Sequence, residues 1–298
     1  SQIPTYLVSK LAREHVTVSL SGDGGDELFC GYTRYFLGAP IWKLFSAMPY
    51  SLKRAVSTAL TSISASHWDR VYELVRPVLP KQYRQNAVGY KVHKLAELMR
   101  FKKSEDFYGR LISHWSNPEE IVLQSEVLPT FLTDERARLS QADFLTEMMF
   151  LDLITYLPDD ILTKVDRASM GVSLEARVPL LDHRVVELAW QLPKHMKLQN
   201  KVGKLLLREI LYKYVPKELI ERPKMGFGIP VHTWLRGPLR DWAEELLSEK
   251  RLKEDGFFNP SPIRQKWQEH LTGKGNWHYY LWDVLMFQAW ASDAYKGT

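Results

Sequence analysis

Apolar and polar residues alternate strictly over residues 16–20, Val-Thr-Val-Ser-Leu, and apolar residues then recur at helical spacing. The alternation has the period of a β-strand, whose successive side chains point to opposite faces. After a polar turn the helical spacing continues to about residue 36, where Gly38 and Pro40 are expected to end the helix. Another short helix is predicted over residues 4–13. The chain is thus predicted to begin with a helix, a strand, a turn and a second helix.

The remainder of the chain has the spacing of helices, and no further βαβ pattern is recognised. The strongest helix is predicted over residues 143–156. Its apolar stripe, which we interpret as core, consists of Phe144, Met148, Leu151 and Ile154. Other helices are predicted over residues 41–63 with a break near Pro49, 71–79, 90–101, 105–115, 119–124, 185–192, 203–214, 239–248, 263–271 and 277–295. Because parallel strands are normally paired and covered on both faces, the strand at 16–20 is expected to pair with strands of an upstream segment. The chain, which begins at Ser1, is accordingly expected to be part of a longer protein.

Composition narrows the class of protein. With 298 residues, of which 45% are hydrophobic, the chain can bury a sizeable core in one large or two modest domains. The single cysteine, Cys30, excludes a disulfide framework and a cysteine zinc cluster, so a reducing, cytoplasmic location is expected. No signal-peptide pattern and no apolar run of membrane-spanning length are recognised in these residues, so neither export nor a membrane span is expected. Its net charge of +5 is mild and well distributed, which does not indicate a nucleic acid partner.

Residues 21–29 carry the first chemical motif, Ser-Gly-Asp-Gly-Gly-Asp-Glu-Leu-Phe, between the predicted strand and helix. A glycine turn at such a junction presents backbone N–H groups to one point, which suits a phosphate. Asp23, Asp26 and Glu27 would repel a bare polyphosphate unless a metal stood between them. Mg²⁺ fits best, because it takes one or two carboxylates together with water and phosphate oxygens. An inert turn with a capping Asp explains the same residue types equally well. The motif is neither a Walker loop nor a dinucleotide fingerprint, because it lacks their lysine and third glycine.

Two further stretches combine charged and apolar residues. Residues 157–182 contain the charges Asp160, Lys164, Arg167, Glu175 and Arg177. A solvated helix face explains them, and so does a charge network that lines a cleft, since buried charges must be paired or used. Residues 222–230, Arg-Pro-Lys-Met-Gly-Phe-Gly-Ile-Pro, predict a closely packed loop that carries Lys224. A single loop lysine is commonly exposed and without function.

These three stretches resemble the synthetase domain of class II glutamine-dependent asparagine synthetases. Residues 21–29 resemble the second nucleotide motif of that family. Residues 157–182 resemble its Lys-x-Asp-Arg and Glu-x-Arg-x-Pro-x-x-Asp segment, and residues 222–230 resemble its lysine loop. The order and separation of the motifs agree from Ser1 to about Tyr295.

The resemblance implies an α/β fold of the doubly wound parallel-sheet, ATP-pyrophosphatase (adenine nucleotide alpha hydrolase-like) type, with residues 1–298 as its C-terminal, mostly helical part. It implies a ligase that adenylates aspartate with ATP and Mg²⁺, releases pyrophosphate and uses ammonia derived from glutamine. Asp26 would bind the metal, and Lys224 and Asp23 would act in catalysis. The nucleotide would contact residues of the turn, namely Ser21, Gly22, Gly24 and Gly25.

The chain also departs from the family pattern. The glutaminase domain and the Ser-Gly-Gly-x-Asp-Ser pyrophosphate loop are absent from these 298 residues, so both are expected upstream and the isolated chain is expected to be inactive. Cys30 stands where the family commonly has glycine, and Asp23 where some members have Glu. Two functional alternatives stay open. The chain could belong to a relative that acts on a sugar acid, a β-amino acid or a peptide, or it could be an inactive helical scaffold. A homodimer stays open as the assembly.

Overall fold

A computed structural model of the chain describes residues 1–78, 88–126, 128–134, 139, 142–221 and 228–295. This part of the chain is mainly helical, with a few short strands, as predicted. The α-helices are α1 (Gln2–Arg13), α2 (Gly25–Leu28), α3 (Thr33–Ala47), α4 (Tyr50–Ser62), α5 (Ala65–Val75), α6 (Val88–Leu98), α7 (Ser104–Ile112), α8 (Phe144–Leu151), α9 (Thr163–Met170), α10 (His183–Gln191), α11 (Lys194–Lys197), α12 (Leu205–Leu211), α13 (Lys217–Ile220), α14 (Val231–Trp234), α15 (Arg240–Leu246), α16 (Glu249–Asp255), α17 (Pro260–Leu271) and α18 (His278–Tyr295). The strands are β1 (Val18–Leu20), β2 (Glu175–Arg177), β3 (Leu198–Gln199) and β4 (Val202–Gly203).

The chain folds into two compact units. The first consists of Ser1–Ala47 and Pro129–Ile229, and the second of Met48–Leu128 and Pro230–Thr298. The glycine turn and the residues 157–182 therefore belong to one unit, although the whole first segment of the second unit lies between them in sequence. Among the described residues, no helix is both long enough and apolar enough to cross a membrane.

In the first unit, β1 pairs in parallel with β2, with Val18 opposite Glu175 and Leu20 opposite Arg177. The Ser21 N–H extends this pairing by donating to the Arg177 carbonyl at 2.7 Å. The prediction that β1 lacks a partner in this chain was wrong. The second strand escaped detection because Glu-Ala-Arg has no apolar alternation, and strand propensity depends strongly on context.

The helix predicted after the glycine turn is divided in two. Helix α2 ends at Leu28, Cys30 has a positive φ of 59°, and α3 begins only at Thr33. The expectation that Pro40 ends the helix was also wrong, because Pro40 lies inside α3. A proline in a helix removes one backbone hydrogen bond. Packing of α3 against α8, including the ring of Trp42 beside that of Phe144, offsets this loss.

Helices α8 and α9 are joined by a π-helical segment, Asp152–Leu162, without a break. Pro158, a residue type that suits a first helical turn, lies inside this segment. The stripe predicted as core is confirmed at Met148 and Leu151, which are buried. A π-helical segment is rare and frequently marks a functional site, because its wider turn redirects side chains.

A buried ionic network connects the π-helical segment to α3. The fully buried Asp152 carboxylate accepts hydrogen bonds from the Arg34 Nε at 3.0 Å and Nη2 at 2.8 Å, and from the Tyr35 hydroxyl at 2.5 Å. The Arg34 guanidinium also lies 4.0 Å from the ring centre of Tyr32 and 4.7 Å from that of Tyr156. The network therefore holds α3 and the π-helical segment together beside the glycine turn.

Replacing Asp152 by alanine is expected to destabilise the protein by about 3 kcal/mol, because it leaves the Arg34 charge without its buried partner. Denaturant-induced unfolding measures the change. Asp166→Ala is the control, since its ion pair with Arg167 is exposed and is worth less than about 1 kcal/mol. Equal effects of the two substitutions would show that the buried network contributes no special stability.

In the second unit, α4 and α5 pack against α6, and the Ser57 hydroxyl donates to the Ala96 carbonyl at 2.7 Å. Helices α15 to α18 form another packed group around the buried side chains of Trp267, Leu281 and Leu285. The two sequence segments of this unit are joined by the antiparallel bridge between Val122 and Phe258.

Candidate functional site

The glycine turn lies at the carboxyl end of β1 and leads directly into α2. The Ser21 hydroxyl donates to the Asp23 carboxylate, and the Gly25 N–H donates to the Gly22 carbonyl at 3.3 Å. Gly24 precedes α2 with a φ of 81°, which an L-residue rarely adopts. Helix α2 has only four residues, so its dipole is small. The binding of an anion at the turn therefore depends more on nearby cations than the longer predicted helix implied.

The three glycines of the turn have different surroundings. A Cβ at Gly22 would meet nothing within 4 Å, so this position is open to a ligand. A Cβ at Gly24 would lie 2.5 Å from a methyl of Leu181, and one at Gly25 would lie 3.0 Å from a methyl of Leu180. Close packing is therefore a sufficient reason for glycine at 24 and 25, whereas nucleotide contact at the three positions stays a prediction.

Asp26 forms an ion pair that sequence analysis missed. Its Oδ2 lies 3.0 Å from the Lys204 Nζ, and both side chains are partly exposed. Lys204 follows the β3–β4 hairpin, whose turn residues Asn200 and Lys201 both have positive φ, as a type I′ turn requires. The Lys204 N–H donates to the Phe29 carbonyl at 2.7 Å, which attaches the hairpin to the end of α2.

The ion pair depends on a close approach that only glycine permits. A Cβ at Gly31 would lie 1.9 Å from the Asp26 Oδ1 and 2.3 Å from the Lys204 Cε. A Cβ at Gly203 would lie 1.9 Å from the Cys30 carbonyl oxygen. Gly31 and Gly203, which lie outside the predicted motif, therefore allow Lys204 to approach Asp26.

Gly31→Ala is expected to displace the Asp26 carboxylate and to lower site activity in the full-length protein by about tenfold or more, since small misplacements in catalytic sites carry large costs. The readout is ATP–pyrophosphate exchange, with circular dichroism to confirm folding. Gly109→Ala is the matched control, because a Cβ there meets nothing within 4 Å. Unchanged exchange in a folded Gly31→Ala protein would show that the position of Asp26 is unimportant.

Glu27 and Cys30, which follow the glycines of the turn, are both buried. The Glu27 carboxylate is 1% exposed and accepts from the Tyr32 hydroxyl at 2.6 Å, and burial raises the pKa of Glu27. Burial also raises the pKa of the Cys30 thiol to about 11, and its sulfur lies 3.1 Å from that of Met149. Cys30 is therefore a protonated packing residue.

Most charges of residues 157–182 lie at the surface. Arg167 pairs with Asp166, and Arg177 pairs with Glu175, with side chains that are more than half exposed. Asp160 is exposed, and Lys164 is partly exposed. The cleft hypothesis assumed that these charges are buried, and that assumption was wrong. What this stretch supplies to the site is β2 and the Leu180 and Leu181 side chains.

Two further predictions concern Lys224 and a metal ion. Lys224 lies outside the described residues, so its catalytic role stays a prediction. Among the described residues, no group of three or more His, Cys, Asp or Glu side chains is arranged to hold a metal ion. Asp26 can offer one partly exposed carboxylate, which is compatible with a metal that completes its shell with water and phosphate oxygens.

These features define a mainly helical α/β protein with an acidic glycine turn at the end of a parallel strand. Residues 1–292 match the sequence profile of the family described as asparagine synthase. The chain belongs to the asparagine synthase family, as the resemblance of its motifs predicted.

Relatives carry the same description. The chain is 31% identical over 291 residues to asparagine synthetase [glutamine-hydrolyzing] 1 of Bacillus subtilis (strain 168), a match that covers 97% of this chain and 42% of the relative. It is 30% identical over 298 residues to the putative asparagine synthetase [glutamine-hydrolyzing] of Mycobacterium tuberculosis (strain ATCC 25618 / H37Rv), covering 97% and 41%. The mouse asparagine synthetase [glutamine-hydrolyzing] is 26% identical over 168 residues, covering 50% and 28%. The chain thus spans about two fifths of the length of the first two relatives, and no solved structure matches it.

Proposed function

We propose that this chain carries part of the site of a ligase that forms asparagine from aspartate, with ATP as the energy source and glutamine as the source of ammonia. The Asp26–Lys204 pair at the glycine turn is the observation that carries the proposal, because it joins a carboxylate to a cation beside an open glycine. The names of the relatives support asparagine as the product and glutamine as the nitrogen donor.

The reaction proceeds in two steps. The side-chain carboxylate of aspartate attacks the α-phosphorus of ATP, which forms β-aspartyl-AMP and releases pyrophosphate. Ammonia then attacks the acyl carbon, and AMP leaves as asparagine forms and a proton is released. Both steps develop negative charge on oxygen, so positioned cations and N–H groups lower the barriers.

The residues of the turn have separate tasks in this proposal. Ser21, Gly22, Gly24 and Gly25 contact the nucleotide, and Asp23 orients bound water or the substrate amine. Lys204 holds the Asp26 carboxylate in place and offsets its charge, so that a polyphosphate can approach the turn. Lys224 offsets the charge that develops on the leaving pyrophosphate and on the reacting carbonyl oxygen.

Mg²⁺ is the metal that this donor set fits. Asp26 would hold it, and the ion would neutralise phosphate charge during the departure of pyrophosphate. The partly exposed Asp26 carboxylate supports this assignment, since Mg²⁺ retains several waters and needs few protein ligands.

We also propose that residues 1–298 form the C-terminal part of a doubly wound, ATP-pyrophosphatase-type domain, completed by upstream pyrophosphate-loop and glutaminase segments. The exposure of β1 supports this arrangement, because Leu20 is 74% exposed although strands of parallel sheets are normally covered. Leu7 and Leu11 on α1 are also exposed. The length of the relatives agrees with further segments.

The full-length natural protein tests the function directly. We expect exchange of labelled pyrophosphate into ATP that requires aspartate, and asparagine formation when ammonia or glutamine is added. Exchange that requires a sugar acid, a β-amino acid or a peptide instead of aspartate would replace the substrate assignment. Absence of exchange with all four acceptors in a folded protein would refute the ligase.

A further inference from the structure

Four basic side chains lie close together in the second unit, and none of them has a role in the proposed function. It consists of His232 on α14, Arg236 after α14, His270 on α17 and His278 at the start of α18, and we call it the basic cluster. The ring centres of His232 and His278 lie 5.8 Å apart. The Arg236 Nη2 lies 3.4 Å from the His270 Nδ1. The four side chains come from separate helices and connections, so the fold assembles them.

Arg236 has no carboxylate partner within the described part of the chain. Its Nε donates to the His270 carbonyl at 2.7 Å and its Nη2 to the Gly275 carbonyl at 3.3 Å, while Nη1 makes no hydrogen bond to a described residue. These acceptors are neutral, so the guanidinium charge is not compensated. Half-buried charges are normally paired, and a guanidinium with a free donor suits an oxyanion.

The neighbouring histidines also face cations. Burial lowers the pKa of His278 to about 4, with smaller contributions from His232, Arg236 and His114. Burial, followed by the charge of Arg236, lowers the pKa of His270 to about 4. The nearby Asp283 carboxylate is 2.8 Å from the His114 Nδ1 and therefore already has a partner. With the pKa values of His270 and His278 this low, Arg236 supplies the permanent charge of the cluster, and a bound anion would favour the protonated imidazoles.

The cluster is accessible, and although the His278 Nδ1 lies 2.9 Å from the Asn276 Oδ1, other hydrogen-bonding groups are unused among the described residues. His232, Arg236 and His278 are partly exposed. The fully buried His270 accepts from the Trp277 N–H through Nδ1 at 3.3 Å, and its Nε2 has no partner among the described residues. His278 also begins an 18-residue helix, whose first N–H groups have no carbonyl within the helix to bind.

We propose that Arg236, His232 and His278 form a binding site for a phosphate-type oxyanion. Arg236 supplies a permanent charge and a free N–H donor. The His278 imidazole takes up a proton as the anion binds, because the anion stabilises its charged form, and the His232 ring lies beside it. The pKa of His278 in the free protein is about 4, so affinity falls as pH rises from about 4 to about 6, towards the higher pKa of the bound form. The proposal is independent of the function proposed above, since none of these residues belongs to the three sequence motifs.

Titration of the full chain with inorganic phosphate and sulfate tests the site, with chloride at matched ionic strength as the reference. The histidine side-chain NMR signals are followed and assigned with His→Gln variants. We expect saturable shifts of the His232 and His278 signals with phosphate and sulfate and none with chloride. Sulfate stays a dianion from about pH 4 to about pH 6, so a fall in its affinity over this range reports the protonation of His278.

His278→Gln is expected to weaken sulfate binding at about pH 4 by about tenfold, the effect of losing one charge-assisted hydrogen bond. The exposed His15 lies outside the cluster, so His15→Gln should bind as the unaltered protein does. If circular dichroism shows that His278→Gln does not fold, His232→Gln is measured instead and should show the same loss. Non-saturable shifts, equal shifts with chloride, or full affinity in the folded variant would overturn the site.

AMP in the same titration distinguishes the two sources of such an anion. Tighter binding of AMP than of phosphate would assign the site to a phosphomonoester, and weaker binding would assign it to the free ion. Either result at His232 and His278 supports an oxyanion site. Failure of AMP, phosphate and sulfate alike would refute it.

Discussion

Asp26→Asn is expected to abolish aspartate-dependent ATP–pyrophosphate exchange in the full-length protein. A neutral amide cannot hold Mg²⁺ as a carboxylate does, and it also removes the charge that pairs with the Lys204 ammonium at 3.0 Å. Hydrolysis of glutamine should be largely intact, because that reaction is expected in another domain. The two activities measured on one preparation therefore separate a local defect from unfolding.

Two further variants sharpen the Asp26 experiment. Asp241→Asn changes an exposed carboxylate on α15 and should leave exchange unaltered. Lys204→Met keeps the Asp26 carboxylate and removes only its partner, so it should retain measurable exchange. If Asp26→Asn keeps normal exchange, the glycine turn is a structural turn and the proposed metal role of Asp26 is wrong.

Lys224→Ala is expected to lower the rate of asparagine formation by about a hundredfold or more, with a smaller effect on ATP affinity. The prediction depends on the sequence of the loop 222–230 and on charge development in the transition state. Lys224→Arg should restore little activity, because a planar guanidinium seldom replaces a compact ammonium in a fitted site. The measurement is steady-state kinetics of the full-length protein with ammonia supplied directly.

The exposed Lys213 provides the control for Lys224. Lys213→Ala removes the same charge and stem from the surface of the first unit and should preserve the turnover number. If Lys224→Ala keeps the normal turnover number and only raises the Michaelis constant for ATP, Lys224 contributes to ground-state binding. The catalytic role assigned to it would then be wrong.

The sequence by itself determined the features that neighbouring residues encode. Alternation predicted β1, and the apolar stripe of the strongest predicted helix identified Met148 and Leu151 as core. The order of the three motifs identified the family, which the match over residues 1–292 confirms. These features are readable because strand period, helix period and motif spacing are local properties of the chain.

Only the tertiary structure decided which distant residues meet. It paired β1 with the charged strand β2, and it placed Lys204 against Asp26 through the close approach at Gly31. It also continued α3 through Pro40, against the local signal. The physical reason is that pairing, burial and close approach depend on side chains far apart in sequence, whereas propensity and periodicity describe only neighbours, and packing overrides them where it stabilises more.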